Sequence, residues 1–129
     1  MRAWWRSILS KDRSRKGQID DMRRLQGVYS QLGDNALDAT GRGVSRKAEL
    51  FAVVAVVASR VLGVDMFDAQ LQGALALTDG QVMEMQTGEG KTLAAVPAVV
   101  WYGRLNLHVH VLTVNDYLAR RDAAWMRPI

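Results

Sequence analysis

A candidate phosphate-binding loop is the clearest chemical feature of the sequence. The stretch "MEMQTGEGKT", residues 83–92, ends in a glycine-rich turn followed by lysine and threonine. Glycines let backbone amides approach a phosphate, a lysine ammonium reaches terminal phosphates, and a threonine hydroxyl is a ligand for Mg²⁺. The residues that we expect to bind a nucleotide are Gly88, Glu89, Gly90, Lys91 and Thr92. Lys91 and Thr92 are also the candidate catalytic residues, with Mg²⁺ on the Thr92 hydroxyl.

Two residues in and near this loop qualify the prediction. Met85 replaces the first glycine of the pattern G-x-x-x-x-G-K-[ST], which weakens the signal but leaves the glycines next to the lysine. An acid beside phosphates repels them. We therefore expect Glu89 to contact the phosphates through its backbone only, while its side chain faces solvent or a cation.

Gln70, upstream of the loop, is a candidate for reading the base of the nucleotide. A glutamine amide offers a donor and an acceptor together, and this pair matches an edge of adenine. The alternative is a solvated glutamine on the surface of a helix, so the residue alone does not decide between the two.

The patterns around the loop predict an α/β fold. "QVMEM", residues 81–85, is typical of a short strand, and residues 91–104 predict a helix that is interrupted or kinked at Pro97. The valine-rich run "LHVHVLTV", residues 107–114, predicts a buried strand, and a last helix follows it, for which Asn115 or Asp116 is a suitable N-cap. The order strand, helix, strand, helix predicts a parallel βαβ unit.

Helices are predicted on the N-terminal side of this unit. Apolar residues recur at helical spacing over residues 19–32. Residues 46–62 predict a helix that is apolar around most of its circumference and therefore buried on several sides, and residues 66–77 predict a short helix. Ser45 and Gly63 are suited to begin and end the middle helix. The charged segment 11–18 and the glycine-containing segment 33–43 are expected to be breaks between helices.

Composition narrows the class of protein. The chain has 129 residues, is 49% hydrophobic and contains no cysteine, which excludes a disulfide framework and thiolate metal sites. The longest apolar stretch is far shorter than the ~20 residues needed to cross a bilayer. The net charge of +4 is uneven, because residues 1–47 hold eleven of the seventeen Lys and Arg but five of the thirteen acids. Such asymmetry indicates an anionic partner or a solvated helix face.

The first ten residues form an amphipathic pattern. On a helix, Trp4 and Trp5 lie beside Ile8 and Leu9, and cationic residues flank this apolar stripe. Tryptophan and arginine in this arrangement favour a membrane surface or the groove of a partner protein. The alternative is a short helix whose tryptophans pack onto the rest of the chain.

The whole pattern resembles the SecA family of preprotein translocase motors. The resemblance covers residues 48–126 well and the preceding segment loosely. It is carried by the loop "EMQTGEGKT", by an aromatic residue three positions before Gln70, and by "TVNDYLARRD", residues 113–122. A non-glycine residue at the position of Met85 is also found in that family.

The resemblance implies a function and a domain organisation. Gln70 would read adenine with Met66 and Phe67 lining the base pocket, the loop would bind ATP and Mg²⁺, and residues 113–122 would couple nucleotide state to movement. Residues 45–129 would begin a P-loop, RecA-like parallel-sheet nucleotide-binding domain, after a basic helical segment over residues 1–44.

The resemblance also implies partners and a location. Members of the family push unfolded preproteins through a SecY-type channel, and bind acidic phospholipids at the inner face of the cell membrane from the cytoplasm. Residues 1–16 would provide the membrane contact, the full-length protein would form a homodimer, and no nucleic acid would be bound.

Three features depart from the family. The segment before "AELFAVVAVVASR" is short, which favours an accessory or divergent member, and Asp65 stands where a basic residue is common. The acidic motif and the second motor lobe lie outside this sequence, so we expect that the chain cannot complete hydrolysis alone. The alternatives are a fragment of a nucleic-acid helicase and a non-catalytic protein that docks on membrane or channel.

Overall fold

A computed structural model describes the backbone of residues 2–129 and the side chains of residues 14–129, and that part of the chain is entirely helical. The helices are α1 (Arg2–Tyr29), α2 (Asp34–Gly43), α3 (Lys47–Leu62), α4 (Asp68–Thr78), α5 (Lys91–Arg104) and α6 (Asp116–Met126). The predicted α/β class is therefore wrong, because residues 2–129 contain no strand and hence no parallel βαβ unit and no start of a RecA-like sheet.

The two predicted strands are irregular segments without a pairing partner. No backbone hydrogen bond joins residues 81–86 to residues 107–113 in the described chain. An alternating, valine-rich run favours an extended backbone, but a strand exists only where a neighbour completes the hydrogen-bond ladder. In the first segment half-buried and exposed side chains alternate, and Met83 packs against Gly73 of α4 instead. Contact with a helix has replaced sheet pairing there.

Two predicted breaks are helical. Residues 11–18 continue α1, since Arg, Lys and Gln are good helix formers and the single Gly17 costs only about 1 kcal/mol. Residues 34–43 form α2, because Leu37 is buried against Val53 and Val56 of α3. Tertiary packing has outweighed weak local propensity in that segment.

The predicted ends of the remaining helices agree more closely with the structure. Gly63 ends α3 in the left-handed conformation, as expected, although Arg46 and not Ser45 is its N-cap. The carboxylate of Glu49 accepts from the Arg46 side chain at 2.9 Å and from its backbone amide at 3.4 Å, and this contact lowers the pKa of Glu49. Asn115 begins α6 by accepting from the Leu118 amide at 2.9 Å.

The core is built around α3. Eight of its sixteen residues are buried, and Phe51 is completely inaccessible to solvent. Helices α1, α4 and α5 pack against it with apolar side chains that include Ile19 and Met22 from α1, Leu71 and Leu75 from α4, and Leu93 and Val96 from α5. Pro97 is also fully buried, and α5 continues through it without the predicted interruption.

Two arginines bind the carbonyl groups at the ends of neighbouring helices. Arg60 of α3 donates to the carbonyl oxygen of Leu32 at 2.5 Å and to the Asp34 carboxylate at 2.7 Å, where α1 gives way to α2. Arg104 of α5 donates to the carbonyl oxygens of Arg42 and Val44, both at 3.0 Å, at the end of α2. The last carbonyls of a helix lack intrahelical partners, so these cations satisfy them and position α2.

The amphipathic stripe of Trp4, Trp5, Ile8 and Leu9 lies outside the described side chains, although the backbone there belongs to α1. Among the described residues, no helix is both long enough and apolar enough to cross a membrane.

Candidate nucleotide-binding site

The loop before α5 has the backbone of an anion site. Gly88 and Gly90 have φ angles of 91° and 77°, in the left-handed region that only glycine adopts readily. Gly90 is the N-cap of α5, and no side chain caps the helix. The first-turn amides of α5 therefore lack intrahelical acceptors and, together with the positive end of the helix dipole, favour a bound anion.

Lys91 folds back over the loop. Its ammonium donates to the carbonyl oxygens of Met85 and Gln86, both at 2.8 Å, and its side chain is exposed. Because these partners belong to the loop itself, the ammonium lies at the loop and not in the core.

Glu89 makes contacts with both its side chain and its backbone. Its carboxylate accepts from the Gln86 amide at 2.7 Å, and this contact closes the loop on itself. Its carbonyl oxygen accepts from the amide nitrogen of Gln70 at 2.9 Å. The residue remains exposed, and its charge is directed back along the chain.

Gln70 is the only buried polar side chain among residues 14–129, with 5% of its surface exposed. Its oxygen accepts from the Phe67 amide at 3.0 Å and so caps the N-terminus of α4. Its nitrogen donates to Glu89, so one amide joins α4 to the loop. A carboxamide has two N–H groups and two lone pairs. One of each is thus used by these bonds, and the other of each makes no hydrogen bond within the described residues.

A cavity of about 420 Å³ adjoins the loop, within the size range of ligand pockets. Its walls come from the segment before α4, from α4 itself, from the loop and from α6. The lining residues are Val64, Asp65, Phe67, Ala69, Gln70, Met85, Gly88, Glu89, Gly90, Leu93 and Trp125.

Five of the predicted site residues line this cavity, and three do not. Phe67, Gln70 and the three loop residues Gly88, Glu89 and Gly90 line it together. Met66, in contrast, is 1% exposed in the core. Lys91 does not line the cavity, since its ammonium bonds to the Met85 and Gln86 carbonyl oxygens. Thr92 lines a smaller, largely apolar cavity of about 270 Å³ between α5 and α6.

A larger groove of about 610 Å³ lies elsewhere, between α2, α3 and α5. Half of its fourteen lining residues are leucine or valine, five are charged, and the loop residues take no part in it. The Gln70 amide and the glycine-rich loop meet at the 420 Å³ cavity, which is therefore the candidate site.

Arg23 of α1 supports one wall of the cavity. Nothing in the sequence around Arg23 predicts this contact. Arg23 donates to the Met66 carbonyl at 2.8 Å and pairs with the Asp68 carboxylate at 2.6 Å. These two residues flank Phe67, so α1 holds the segment that forms one wall of the cavity. Only the tertiary structure brings Arg23 next to positions 43 and 45 residues away.

Comparison with known proteins gives a consistent match. A family model described as the SecA DEAD-like domain matches residues 7–129. The chain is 57% identical over 81 residues to "Protein translocase subunit SecA" of Thermosipho africanus, covering 63% of this chain and 10% of the relative. It is 43% identical over 122 residues to the SecA subunit of Thermodesulfovibrio yellowstonii, covering 86% and 14%. It is 57% identical over 82 residues to "Protein translocase subunit SecA 2" of Thermobifida fusca, covering 64% and 11%. The chain thus spans about a tenth to a seventh of the length of these relatives.

The contact between Gln70 and the loop makes two glycine substitutions unequal. Gly88 and Gly90 both have positive φ, so alanine at either position adds about 1–2 kcal/mol of strain. A Cβ at Gly90 would also overlap the Gln70 amide nitrogen. A Cβ at Gly88 would have no atom of the described residues within 4 Å beyond those of its own chain neighbours. We expect Gly90→Ala to lower the free energy of unfolding by about 1–3 kcal/mol more than Gly88→Ala, measured by urea denaturation. Equal losses would show that the buried amide does not fasten the loop.

Proposed function

The chain belongs to the SecA family, which confirms the resemblance seen in the sequence, and from this membership we propose that it carries the ATP-binding site of a SecA-type protein translocase. The observation that supports this most is the convergence of the glycine-rich loop, the uncapped start of α5 and the buried Gln70 amide on one cavity. The SecA 2 relative agrees with the expected accessory or divergent member, and the family match gives no support to a nucleic-acid helicase.

Phosphate binding is proposed to use groups that are already close to the loop. The amides at the start of α5 and the backbone of Gly88 and Gly90 would surround the phosphates. Lys91 would exchange its two carbonyl partners for phosphate oxygens, so its charge becomes paired with an anion. The Thr92 hydroxyl fits one position around Mg²⁺, which keeps several waters and takes other ligands from the phosphates. The ion, when bound, would neutralise charge on the terminal phosphates.

Adenine recognition is assigned to Gln70 in this proposal. The free N–H and free lone pair of its amide provide a donor–acceptor pair for the base, while the bonds to Phe67 and Glu89 hold the amide in place. A fixed amide loses little conformational entropy when it binds a ligand, so its orientation favours one base over another. Phe67 lines the same cavity and offers an apolar face to the ring.

The activity of the whole protein is also part of the proposal. ATP hydrolysis would drive unfolded preproteins through a SecY-type channel, from the cytoplasmic face of the membrane and without nucleic acid, in a protein that forms a homodimer. Residues 45–129 would carry the nucleotide site. Residues 1–44 would form the basic helical segment, in which residues 1–16 hold six basic residues and one acid for contact with acidic phospholipids.

Lys91→Ala tests the phosphate site. We expect the Kd for Mg-ATP to rise by about tenfold or more, because a charge-assisted bond to phosphate is lost. Isothermal titration calorimetry measures this, with Lys16→Ala as a control that removes the same charge from an exposed position on α1. Equal affinity of Lys91→Ala and the unaltered chain would rule out the assigned site.

Gln70→Ala tests the reading of the base. We expect the preference for ATP over GTP to fall toward equality, since the oriented donor and acceptor are removed. Competition titrations with the two nucleotides measure the ratio, and Gln72→Ala on the exposed side of α4 is the matched control. An unchanged ratio in Gln70→Ala would assign adenine recognition to other residues.

Replacing Arg2, Arg6, Lys11 and Arg13 together by Gln tests the lipid contact. Arg15 is retained because it pairs with Asp79 within the fold. Each basic residue near an anionic surface contributes about 1 kcal/mol, so binding to phosphatidylglycerol vesicles is expected to fall steeply in flotation assays. Phosphatidylcholine vesicles are the control surface. Undiminished flotation of the variant with anionic vesicles would argue against this membrane contact.

A further inference from the structure

We propose that Trp125 of α6 contacts the purine ring of the bound nucleotide and, with Phe67, sandwiches it. The inference rests on the proposed function of the same cavity and extends it to a residue outside the loop and α4. It assigns a direct part in ligand binding to the last turn of α6.

The position of Trp125 is the first argument. It is the single residue of α6 among those that line the 420 Å³ cavity, where it joins Phe67, Gln70 and the loop glycines. Its neighbours Asp122 and Met126 line the other cavity, between α6 and α5. Trp125 thus borders a different cavity from these neighbours, and its cavity is the proposed nucleotide site.

The exposure of the two aromatic side chains is the second argument. Trp125 is 44% exposed and Phe67 is 70% exposed, although both border the cavity. Exposed aromatic faces beside a cavity favour a flat apolar partner, and stacking of a base on such a face is a general mode of nucleotide recognition. Gln70 lies at the same cavity and can read the edge of a ring placed between them.

A purely structural role explains Trp125 poorly. The tryptophan is absent from the residues packed against the main core, whereas Met126 and Ile129 are among them. Helix α6 buries none of its residues. A large aromatic side chain that stabilises a fold is normally buried. A ligand in the cavity would cover Trp125 and would contact α4, the loop and α6 at once.

Binding of a ligand that lacks the base tests the proposal in the full chain. We expect Trp125→Ala to raise the Kd for Mg-ATP by about tenfold, because stacking of the base is lost. The Kd for Mg-tripolyphosphate should stay within about twofold, since the phosphate groups are unaffected. Trp125→Phe keeps an aromatic face and should retain most of the affinity for Mg-ATP.

The outcomes separate this inference from the proposed function. Unchanged affinity of Trp125→Ala for Mg-ATP, or equal losses for both ligands, would overturn the base contact while leaving the phosphate site intact. Failure of the unaltered chain to bind either ligand would contradict the proposed function and the inference with it.

Tryptophan fluorescence gives a second measurement that does not need the alanine variant. Trp101 is half-buried against the core beneath the ammonium of Lys47, away from the cavity. With Trp4 and Trp5 replaced by Phe in every chain compared, we expect Mg-ATP to change the emission of the chain that keeps Trp101 and Trp125 and of its Trp101→Phe variant, and to leave that of its Trp125→Phe variant unchanged. Persistence of the full change in Trp125→Phe would overturn the inference.

Discussion

The buried amide of Gln70 is the interaction on which the arrangement of the site depends. An uncharged polar group can be buried at low cost only when it is hydrogen-bonded, and this one bonds to the Phe67 amide at the N-cap of α4 and to a loop carbonyl. Removal of either partner would leave the oxygen or the nitrogen of this buried amide without a hydrogen bond, so the amide stays buried at low cost only with both bonds in place. The loop is therefore held to a helix of the core although most of its own residues are exposed.

The support of the site continues from this amide into the core and α1. Helix α4 places Leu71 and Leu75 in the core next to Gln70, so the capped end of α4 is fixed by apolar packing. Arg23 holds the other side of the cavity wall through the Met66 carbonyl and Asp68. Helix packing thus fixes the α4 side of the cavity, whereas the loop side consists mainly of backbone groups, with the exposed Lys91 side chain bonded to loop carbonyls beside it.

Local backbone conformation was predictable from the sequence, and pairing between distant segments was not. The loop, the left-handed end of α3 at Gly63 and the Asn115 cap of α6 depend on residues a few positions apart, where glycine and asparagine have specific backbone roles. The sheet was wrongly predicted because alternation in residues 81–85 and 107–114 reports the preference of single segments and not the presence of a partner. Helix α2 was missed because the burial of Leu37 is set by α3.

The candidate site shows the same limit. Lysine and glycines predict a phosphate loop, and this stays a prediction, whereas the sequence contains no sign that Lys91 bonds to its own loop carbonyls. The double role of Gln70 depends on Glu89, which is 19 residues away, and that of Arg23 on Met66, which is 43 residues away. Such contacts arise from the packing of α1, α3 and α4, so the residue types alone do not predict the geometry of the site.

The unequal burial of α3 and α6 has a consequence for the dynamics of the protein. Eight residues of α3 are buried and none of α6, so the two helices cannot share one opening free energy. Amide protons of α3 should exchange with solvent only through global unfolding, whereas those of α6 can exchange through local opening of the helix. The segment between residues 105 and 114, with its exposed apolar side chains, would belong to the same low-stability unit as α6. The protein would then contain a cooperative nucleus of α1, α3, α4 and α5 and a C-terminal unit that samples open states while the nucleus remains folded.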